Sequence, residues 1–405
     1  MIYTLLKCIA LGIVVSTQFL SCTDKNQPIN SSNIDGNFEF HSMIINGNLT
    51  GFSYKTTPKI GDHGYLYSGI KNNYNCDNNL LDFTAYYAQS AYPEIIANPD
   101  TVDSIRLTMF LADTLLSFTP DISLYYLNNN NNDSIFNEND TFYDNFNLSN
   151  LNILELGNLN LNPIDTLSNI LSIELVINDP PIIEELLSFS EDTSKCFMTS
   201  QTSATDHLKI YSSESNVKPQ LFVYYTITDS SDSSFSESFS LPIVQDLTLI
   251  EIPDFDNLSQ DSLYIGGSLF ESVLKFDLSP FSEIPAQFVL KEDSYLILNS
   301  MNIDASSAIN ILAYPLTDSL NQIDNFSEWY DDVPVDKTTY MPIFYEDGKL
   351  KIRIQSYLQY VINGEIDHFG ISLKSSVNND PFSKFSIEDP DSGFSEITIE
   401  YVSGI

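Results

Sequence analysis

The sequence predicts an all-β protein with two tandem β-sandwich domains behind a removable N-terminal signal. Its 405 residues include 26 Phe and 23 Tyr, residue types that favour the pleated, half-buried surface of a sheet. Many short segments alternate apolar and polar residues between clusters of Asn, Asp, Ser, Gly and Pro, which is typical of strands joined by turns. The landmarks of the first half recur in the same order in the second half, so we expect one unit built twice.

The first 22 residues have the pattern of a bacterial export signal. One basic residue, Lys7, precedes the mostly apolar run 8–20, which is too short to span a bilayer as a stable helix. Phe19-Leu20-Ser21-Cys22 follows and resembles the lipobox of bacterial lipoproteins. The resemblance implies cleavage before Cys22, lipidation of its thiol, and a location at the outer membrane or cell surface, with the periplasmic face as the alternative. An ordinary secretory signal with an incidental cysteine is the other interpretation.

The acidic composition restricts the partners that the chain can bind. Lys and Arg number 17 against 55 Asp and Glu, which gives a formal net charge of −38. Such a surface repels phosphate backbones and anionic headgroups, so we expect no nucleic acid among the partners. We expect contact with the membrane through the lipid anchor, and partners among polysaccharides or other envelope proteins.

The internal repeat predicts the domain boundaries. Leu66-Tyr67-Ser68-Gly69 matches Leu263-Tyr264-Ile265-Gly266, and apolar pairs spaced by four residues in 182–187 and 357–362 predict one short helix in each copy. We expect residues 236–405 to fold alone. The expected division is a signal peptide at 1–21, a tether at 22–35, a first sandwich at 36–228, a Ser/Asp-rich linker at 229–240 and a second sandwich at 241–405.

Five motifs of the second half resemble the core-strand patterns of DNRLRE domains. They are Leu-Tyr-x-Gly at 263–266, Leu-Lys-Phe-Asp-Leu at 274–278, Trp-Tyr-Asp-Asp-Val-Pro at 329–334, Phe-Gly-Ile-Ser-Leu at 369–373 and Ile-Thr-Ile-Glu-Tyr at 397–401. That family consists of jelly-roll sandwiches from extracellular bacterial proteins, similar to carbohydrate-binding modules. The resemblance implies two tandem jelly-roll β-sandwich domains, each with one short helix, and it reaches the first half only through the repeat. It transfers no catalytic residue.

Two cysteines remain in the body of the chain, Cys76 and Cys196. An oxidising compartment favours a disulfide between them. Two separate buried thiols are the alternative.

A polar loop offers a candidate calcium site. Its oxygen-bearing side chains Asp133, Asn137, Asn139 and Asp140 are of the type that Ca²⁺ prefers. The glycine and the closing glutamate of an EF-hand are missing, so a long surface loop without metal is the alternative. No other cofactor is expected.

An aromatic and acidic patch offers a candidate glycan contact. Trp329 and Tyr330 would stack on sugar rings, and Asp331 and Asp332 would accept hydrogen bonds from hydroxyls. Packing of Trp329 in the core is the alternative.

Catalytic motifs are missing from the sequence. It contains no His-Glu-x-x-His and no Gly-x-Ser-x-Gly, and His41, His63, His207 and His368 share no metal spacing. We therefore expect no enzyme but a non-catalytic surface or envelope lipoprotein with a structural or adhesive role. The alternative is a glycan-binding lipoprotein that captures polysaccharide for partner enzymes. A hydrolase would require a cleft with a pair of carboxylates.

Overall fold

The computed structural model describes most of the chain from residue 38 to residue 404. The gaps in this range are 47–48, 59, 62, 85–87, 89–90, 114–115, 117, 129–133, 163–169, 189–193, 202–206, 229–232, 252–261, 268, 283–285, 290–293, 303–309, 321–332, 377–379 and 389–394. Strands make up 58 % and helices 11 % of the described residues, so the all-β prediction is confirmed. The signal, Cys22 and the tether lie outside the described residues.

The strands of the first part of the chain are β1 (Phe38–Asn46), β2 (Leu49–Lys55), β3 (Tyr65–Lys71), β4 (Tyr74–Thr84), β5 (Val102–Phe110), β6 (Ile122–Asn128), β7 (Asn152–Asn162), β8 (Ser172–Ile177), β9 (Ser194–Gln201), β10 (His207–Tyr211), β11 (Gln220–Thr228), β12 (Ser234–Leu241) and β13 (Ile243–Glu251). Those of the second part are β14 (Ser262–Gly266), β15 (Phe270–Phe276), β16 (Ala286–Val289), β17 (Tyr295–Asn302), β18 (Ile311–Pro315), β19 (Ile343–Glu346), β20 (Lys349–Arg353), β21 (Ile371–Ser375), β22 (Lys384–Glu388) and β23 (Ser395–Gly404).

Alternation along the strands places one face of each sheet in a core. In β5, the side chains of Ile105, Leu107 and Met109 are fully buried, whereas Arg106 between them is partly exposed. This period of two is the direct result of strand geometry. Both sandwiches have a large apolar core between their layers.

The helices are short. They are α1 (Pro93–Ala97), α2 (Pro180–Leu187), α3 (Ser279–Ser282) and α4 (Gln355–Ile362), and short 3₁₀ turns cover Pro99–Thr101 and Leu148–Asn150. The helices predicted at 182–187 and 357–362 are thus present as α2 and α4. The prediction of one helix per domain is wrong, because α1 and α3 are too short to show a helical period in the sequence.

The strand order confirms that the same unit is built twice. In the first copy the neighbours run β10-β3-β4-β9-β6-β7-β8-β5-β11, and β7 passes from one layer to the other. In the second copy they run β22-β14-β15-β21-β18 and then β19-β20-β17-β23. Gly69 and Gly266, the glycines of the repeated motif, have φ of 96° and 98°, a region that side chains other than glycine rarely adopt.

Two pairs of strands are exchanged between the sandwiches. The N-terminal arm, defined as β1 and β2, precedes the first sandwich in the chain, yet β1 pairs with β23 and β2 pairs with β15. The central arm, defined as β12 and β13, precedes β14, yet its strands pair with β11 and β4. The N-terminal arm therefore contributes one strand to each layer of the second sandwich. The central arm contributes one strand to each layer of the first sandwich.

The exchange contradicts the predicted boundaries. Most of the predicted linker 229–240 is strand, because β12 begins at Ser234 and pairs with β11. The predicted first domain, 36–228, contains the N-terminal arm, whose partners β15 and β23 lie in the second sandwich. The predicted unit 236–405 lacks this arm, so the structure does not support its folding alone. Sequence patterns locate strands well but carry little information about which distant strand becomes a neighbour.

The inserted strands β13 and β2 are held by equivalent buried hydroxyl groups. Thr248 Oγ1 on β13 accepts a hydrogen bond from the backbone N–H of Tyr67 at 2.9 Å and donates to Asn79 Oδ1 at 2.6 Å. At the equivalent place on β2, Ser53 Oγ accepts from the backbone N–H of Tyr264 at 2.7 Å. Each hydroxyl thus satisfies a backbone donor at the point where β3 or β14 separates from its hairpin partner.

The two sandwiches contact each other through Phe382. Its ring is 2 % exposed and lies edge-on to Tyr67 and Tyr74 of the first sandwich, with centroid distances of 4.8 and 5.5 Å. Nearby, Lys71 Nζ lies 2.6 Å from Asp380 Oδ2. Edge-on packing of aromatic rings stabilises a contact by more than the burial of apolar area alone would.

We predict that Thr248→Val destabilises the protein. The substitution keeps the shape of the side chain but leaves the N–H of Tyr67 buried without its acceptor, which costs about 1–3 kcal/mol. Urea unfolding followed by circular dichroism measures the effect. The control is Thr226→Val on β11, whose hydroxyl bonds Asp103 at the surface and should change stability by less than about 0.5 kcal/mol. Equal stabilities of the two variants would contradict the role of Thr248.

Candidate functional site

The predicted disulfide is wrong. Both Cys76 and Cys196 are free and buried. Cys196 on β9 lies opposite Asp82 of β4, and Cys76 lies six positions before Asp82 along the same strand, a distance of about 20 Å. A disulfide requires Cα atoms within about 7 Å. Burial raises the pKa of both thiols well above their ordinary value, so neither is a ready nucleophile.

The loop predicted to hold calcium forms a local turn in its described part. Asn137 Oδ1 accepts a hydrogen bond from the N–H of Asn139 at 2.9 Å, and the N–H of Asp140 donates to the carbonyl of Asn137 at 3.1 Å. Asp133 lies outside the described residues. Among the described residues, no group of three or more His, Cys, Asp or Glu is placed to hold a metal ion. The calcium site stays a prediction.

The candidate glycan contact lies outside the described residues. Trp329, Tyr330, Asp331 and Asp332 all belong to the segment 321–332. Their contact with sugar therefore stays a prediction, as does the anchor at Cys22.

The most perturbed carboxylate described is Asp246 on β13. It is 0 % exposed, and it accepts hydrogen bonds from Ser213 N at 2.6 Å and from Ser213 Oγ at 3.1 Å. Burial raises the pKa of Asp246 to about 7, the bonds from Ser213 oppose this rise, and the charges of Glu138 and Glu214 add to it. A perturbed pKa is a common property of active sites. Here the carboxylate faces Ser213 instead of open space, and it ties the central arm to the loop after β10.

Gln245 joins the same region to the loop after β6. Its side-chain amide donates to Asp82 Oδ2 at 3.1 Å and to the carbonyl of Phe136 at 2.9 Å. Burial raises the pKa of Asp82, and hydrogen bonds from Ser194 and Gln245 oppose that rise. The two buried carboxylates on β4 and β13 thus have partners that connect strands to loops.

Lys195 is a buried lysine of the first sandwich. Its Nζ donates to the carbonyl of Glu185 at 2.9 Å and to the hydroxyl of Tyr126 at 3.2 Å. Burial lowers the pKa of Lys195, and the charge of Glu185 opposes this. The lysine fastens the end of α2 to β6 and β9.

His368 has an equivalent structural role in the second sandwich. Its Nε2 lies 2.5 Å from the carbonyl of Phe276, and its Nδ1 lies 2.5 Å from the hydroxyl of Tyr357. Because a carbonyl only accepts, Nε2 carries the proton and Nδ1 accepts from Tyr357. Burial lowers the pKa of His368, which favours this neutral form. The ring therefore joins α4 to β15.

The sequence contained a partial signal for these buried groups. Asp246 interrupts a run of mostly apolar residues from Ile243 to Ile250, and a charge within such a run indicates a buried, hydrogen-bonded group. Nothing in the sequence identified Ser213 as its partner, because the two residues lie on different elements.

In the described part of the chain, no helix is both long and apolar enough to cross a bilayer.

Comparison with known proteins identifies no relative: no family model matches the chain, and no curated protein matches its sequence. The resemblance to DNRLRE domains therefore stays a prediction.

We predict that Asp246→Asn flattens the pH dependence of stability. The pKa of Asp246 is about 7 when folded, against an ordinary value of 3.8. Between about pH 4 and pH 7 the folded state keeps a proton that the unfolded state has lost, so this carboxyl lowers stability as the pH rises through that window. Asparagine still accepts from the N–H of Ser213. The advantage of the variant over the wild type should grow from near zero at pH 4 to about 2–4 kcal/mol at pH 8.

Urea unfolding at intervals between pH 4 and pH 8 measures this difference. Asp144→Asn, which changes an exposed carboxylate, is the control for the loss of one negative charge. A stability difference between Asp246→Asn and the wild type that does not vary with pH would contradict the prediction.

We also predict that Cys76 and Cys196 are unreactive in the folded protein. Both thiols are buried and have raised pKa values, and the thiolate is the reactive form. Ellman's reagent should react with neither thiol before unfolding, and with both in denaturant without any reductant. An added surface thiol, Ser149→Cys, serves as the positive control. Recovery of a linked Cys76–Cys196 peptide under non-reducing conditions would contradict the prediction.

Proposed function

We propose that this chain is a non-catalytic lipoprotein of the cell envelope, anchored through Cys22, with a structural or adhesive role. The observation that carries the proposal is the position of the N-terminal arm. The strand β1 begins at Phe38, a short distance after the tether, and its pairing with β23 extends over its whole length to Asn46. The strand that follows the proposed tether is therefore part of a β-sheet rather than an unpaired segment.

The pairing of β1 gives the anchor a firm attachment. A pull on the tether acts on a strand that is hydrogen-bonded along its length, and β2, the next strand, pairs with β15 from Leu49↔Phe276 to Lys55↔Phe270. Ile45 and Leu49 of the arm are buried in the core of the second sandwich. Such an arrangement suits a protein that bears load between a membrane and an outside partner.

The chemistry of the buried groups supports a non-catalytic role. Asp246, Lys195 and His368 are the kind of residue from which active sites are made, and each is bonded to a backbone or hydroxyl group that joins two elements of the fold. Their perturbed pKa values follow from burial within the structure. We propose no substrate for them.

The test of the anchor is the variant Cys22→Ala. Two or more acyl chains hold a protein stably on a membrane, because each buried CH₂ contributes about 0.8 kcal/mol. The wild type should sediment with the membrane fraction, and Cys22→Ala should appear in the soluble fraction with an unchanged circular dichroism spectrum. Cys8→Ala, within the signal, is the matched control and should stay with the membrane.

The role is tested in the same strains. Cells that produce only the released variant should lose the adhesion or detergent resistance that cells with the wild type show. Membrane association of Cys22→Ala would refute the anchor. Equal adhesion and detergent resistance in both strains would refute the structural or adhesive role.

A further inference from the structure

The second sandwich contains a site shaped for the N-terminal arm. The edge of β23 accepts β1, and β15 accepts β2. Phe52 and Tyr54 of β2 point away from the main core into a smaller apolar cluster with Val273 and Leu316. The arm thus adds one strand to each layer, and its side chains enter both the main core and the smaller cluster.

Gly51 of the arm has little space around it. A Cβ at this position would lie 2.9 Å from Leu263 Cδ1, 3.0 Å from the carbonyl oxygen of Val273 and 3.1 Å from Leu274 Cδ2. Two of these three neighbours are core side chains. A larger side chain, and above all a charged one, does not fit there without moving the core.

The central arm has an aspartate at the equivalent position. Gly51 lies opposite Leu274, and Asp246 lies opposite Leu81, which occupies the same place in the first copy of the repeat. In the first sandwich this aspartate is accommodated because Ser213 donates two hydrogen bonds to it. In the second sandwich an aspartate at position 51 would lie against the side chains of Leu263 and Leu274.

The two arms share a hydroxyl residue two positions after Gly51 and Asp246. Ser53 and Thr248 are the equivalent hydroxyl residues that bond a tyrosine N–H. The connections that lead from the arms into the next sandwich, 56–64 and 252–261, are of similar length.

We infer that the second sandwich is a recognition site for a two-strand arm with glycine at position 51, a hydroxyl residue at position 53 and an aromatic residue at position 54, and that Gly51 and Asp246 decide which arm enters which sandwich. The occupant in the native protein is the N-terminal arm of the same chain. Asp246 excludes the central arm from the second sandwich, which follows it directly in the chain. This inference is independent of the lipid anchor.

The first experiment releases the arm in the full-length protein. In Gly51→Asp the N-terminal arm no longer fits, so a fluorescent peptide of residues 36–57 should bind the variant and raise its fluorescence anisotropy. The wild type should bind no peptide, because its site is occupied. A peptide that itself carries Gly51→Asp should bind the variant at least about tenfold more weakly. Failure of the native peptide to bind a folded Gly51→Asp variant would overturn the inference.

A second experiment does not depend on the folding of that variant. Ile44 of β1 lies opposite Thr398 of β23, and opposite residues of antiparallel strands are close enough for a disulfide. In the Cys22→Ala background, Ile44→Cys with Thr398→Cys should form an intramolecular disulfide on oxidation. The matched control is Ser240→Cys with Thr398→Cys, because Ser240 lies opposite Phe222 of β11, the equivalent place in the central arm. This pair should form no disulfide.

The source of the arm is tested by mixing two chains. One carries only Ile44→Cys and the other only Thr398→Cys, and they are unfolded and refolded together before oxidation. Monomers without a crosslink are expected. A crosslinked dimer would show that the arm comes from a second copy and would overturn the assignment to the same chain. A disulfide in the Ser240 control would overturn the exclusion of the central arm.

Discussion

A single buried hydroxyl on each inserted strand holds the arrangement of the two sandwiches. β13 and β2 each enter where a hairpin opens, and there one backbone N–H of the departing strand has lost its partner. Thr248 and Ser53 accept these hydrogen bonds. Since a slip of one residue would turn every side chain of the strand to the opposite face, the hydroxyl also fixes which residues enter the core. Burying that donor without an acceptor would oppose the exchange of arms.

The exchange links the two sandwiches more firmly than a flexible connector would. Each sandwich contains strands from both halves of the chain, and Phe382 adds an aromatic contact between them. Unfolding the second sandwich requires the N-terminal arm to leave β23 and β15. The pairing of β1 with β23 thus joins two strands that are far apart in the sequence. We expect from this topology that the two halves lose structure together, since long-range pairings connect them.

Three of the few basic residues join different parts of this acidic fold. Lys71 pairs with Asp380 across the two sandwiches, and Lys374 pairs with Glu271 on neighbouring strands. Lys195 is bonded within the first sandwich. Carboxylates remain in excess at the surface, where salt screens them over about 10 Å. A surface of this kind repels anionic partners.

The strands, the repeat and the all-β class could be predicted from the sequence, because alternation with a period of two and turn residues are local properties. The sequence also located α2 and α4 from the apolar spacing of their residues. The neighbours of β1, β2, β12 and β13 could not be predicted in this way, since each of these strands pairs with a strand that is distant in the chain or lies in the other half of the repeat. The folded structure alone shows these pairings, together with the tight contact around Gly51 and the hydrogen bonds from Ser213 to Asp246. The same limit explains the cysteines: both lie in strands of one sheet, and their distance along it depends on a register that the spacing of residues does not contain.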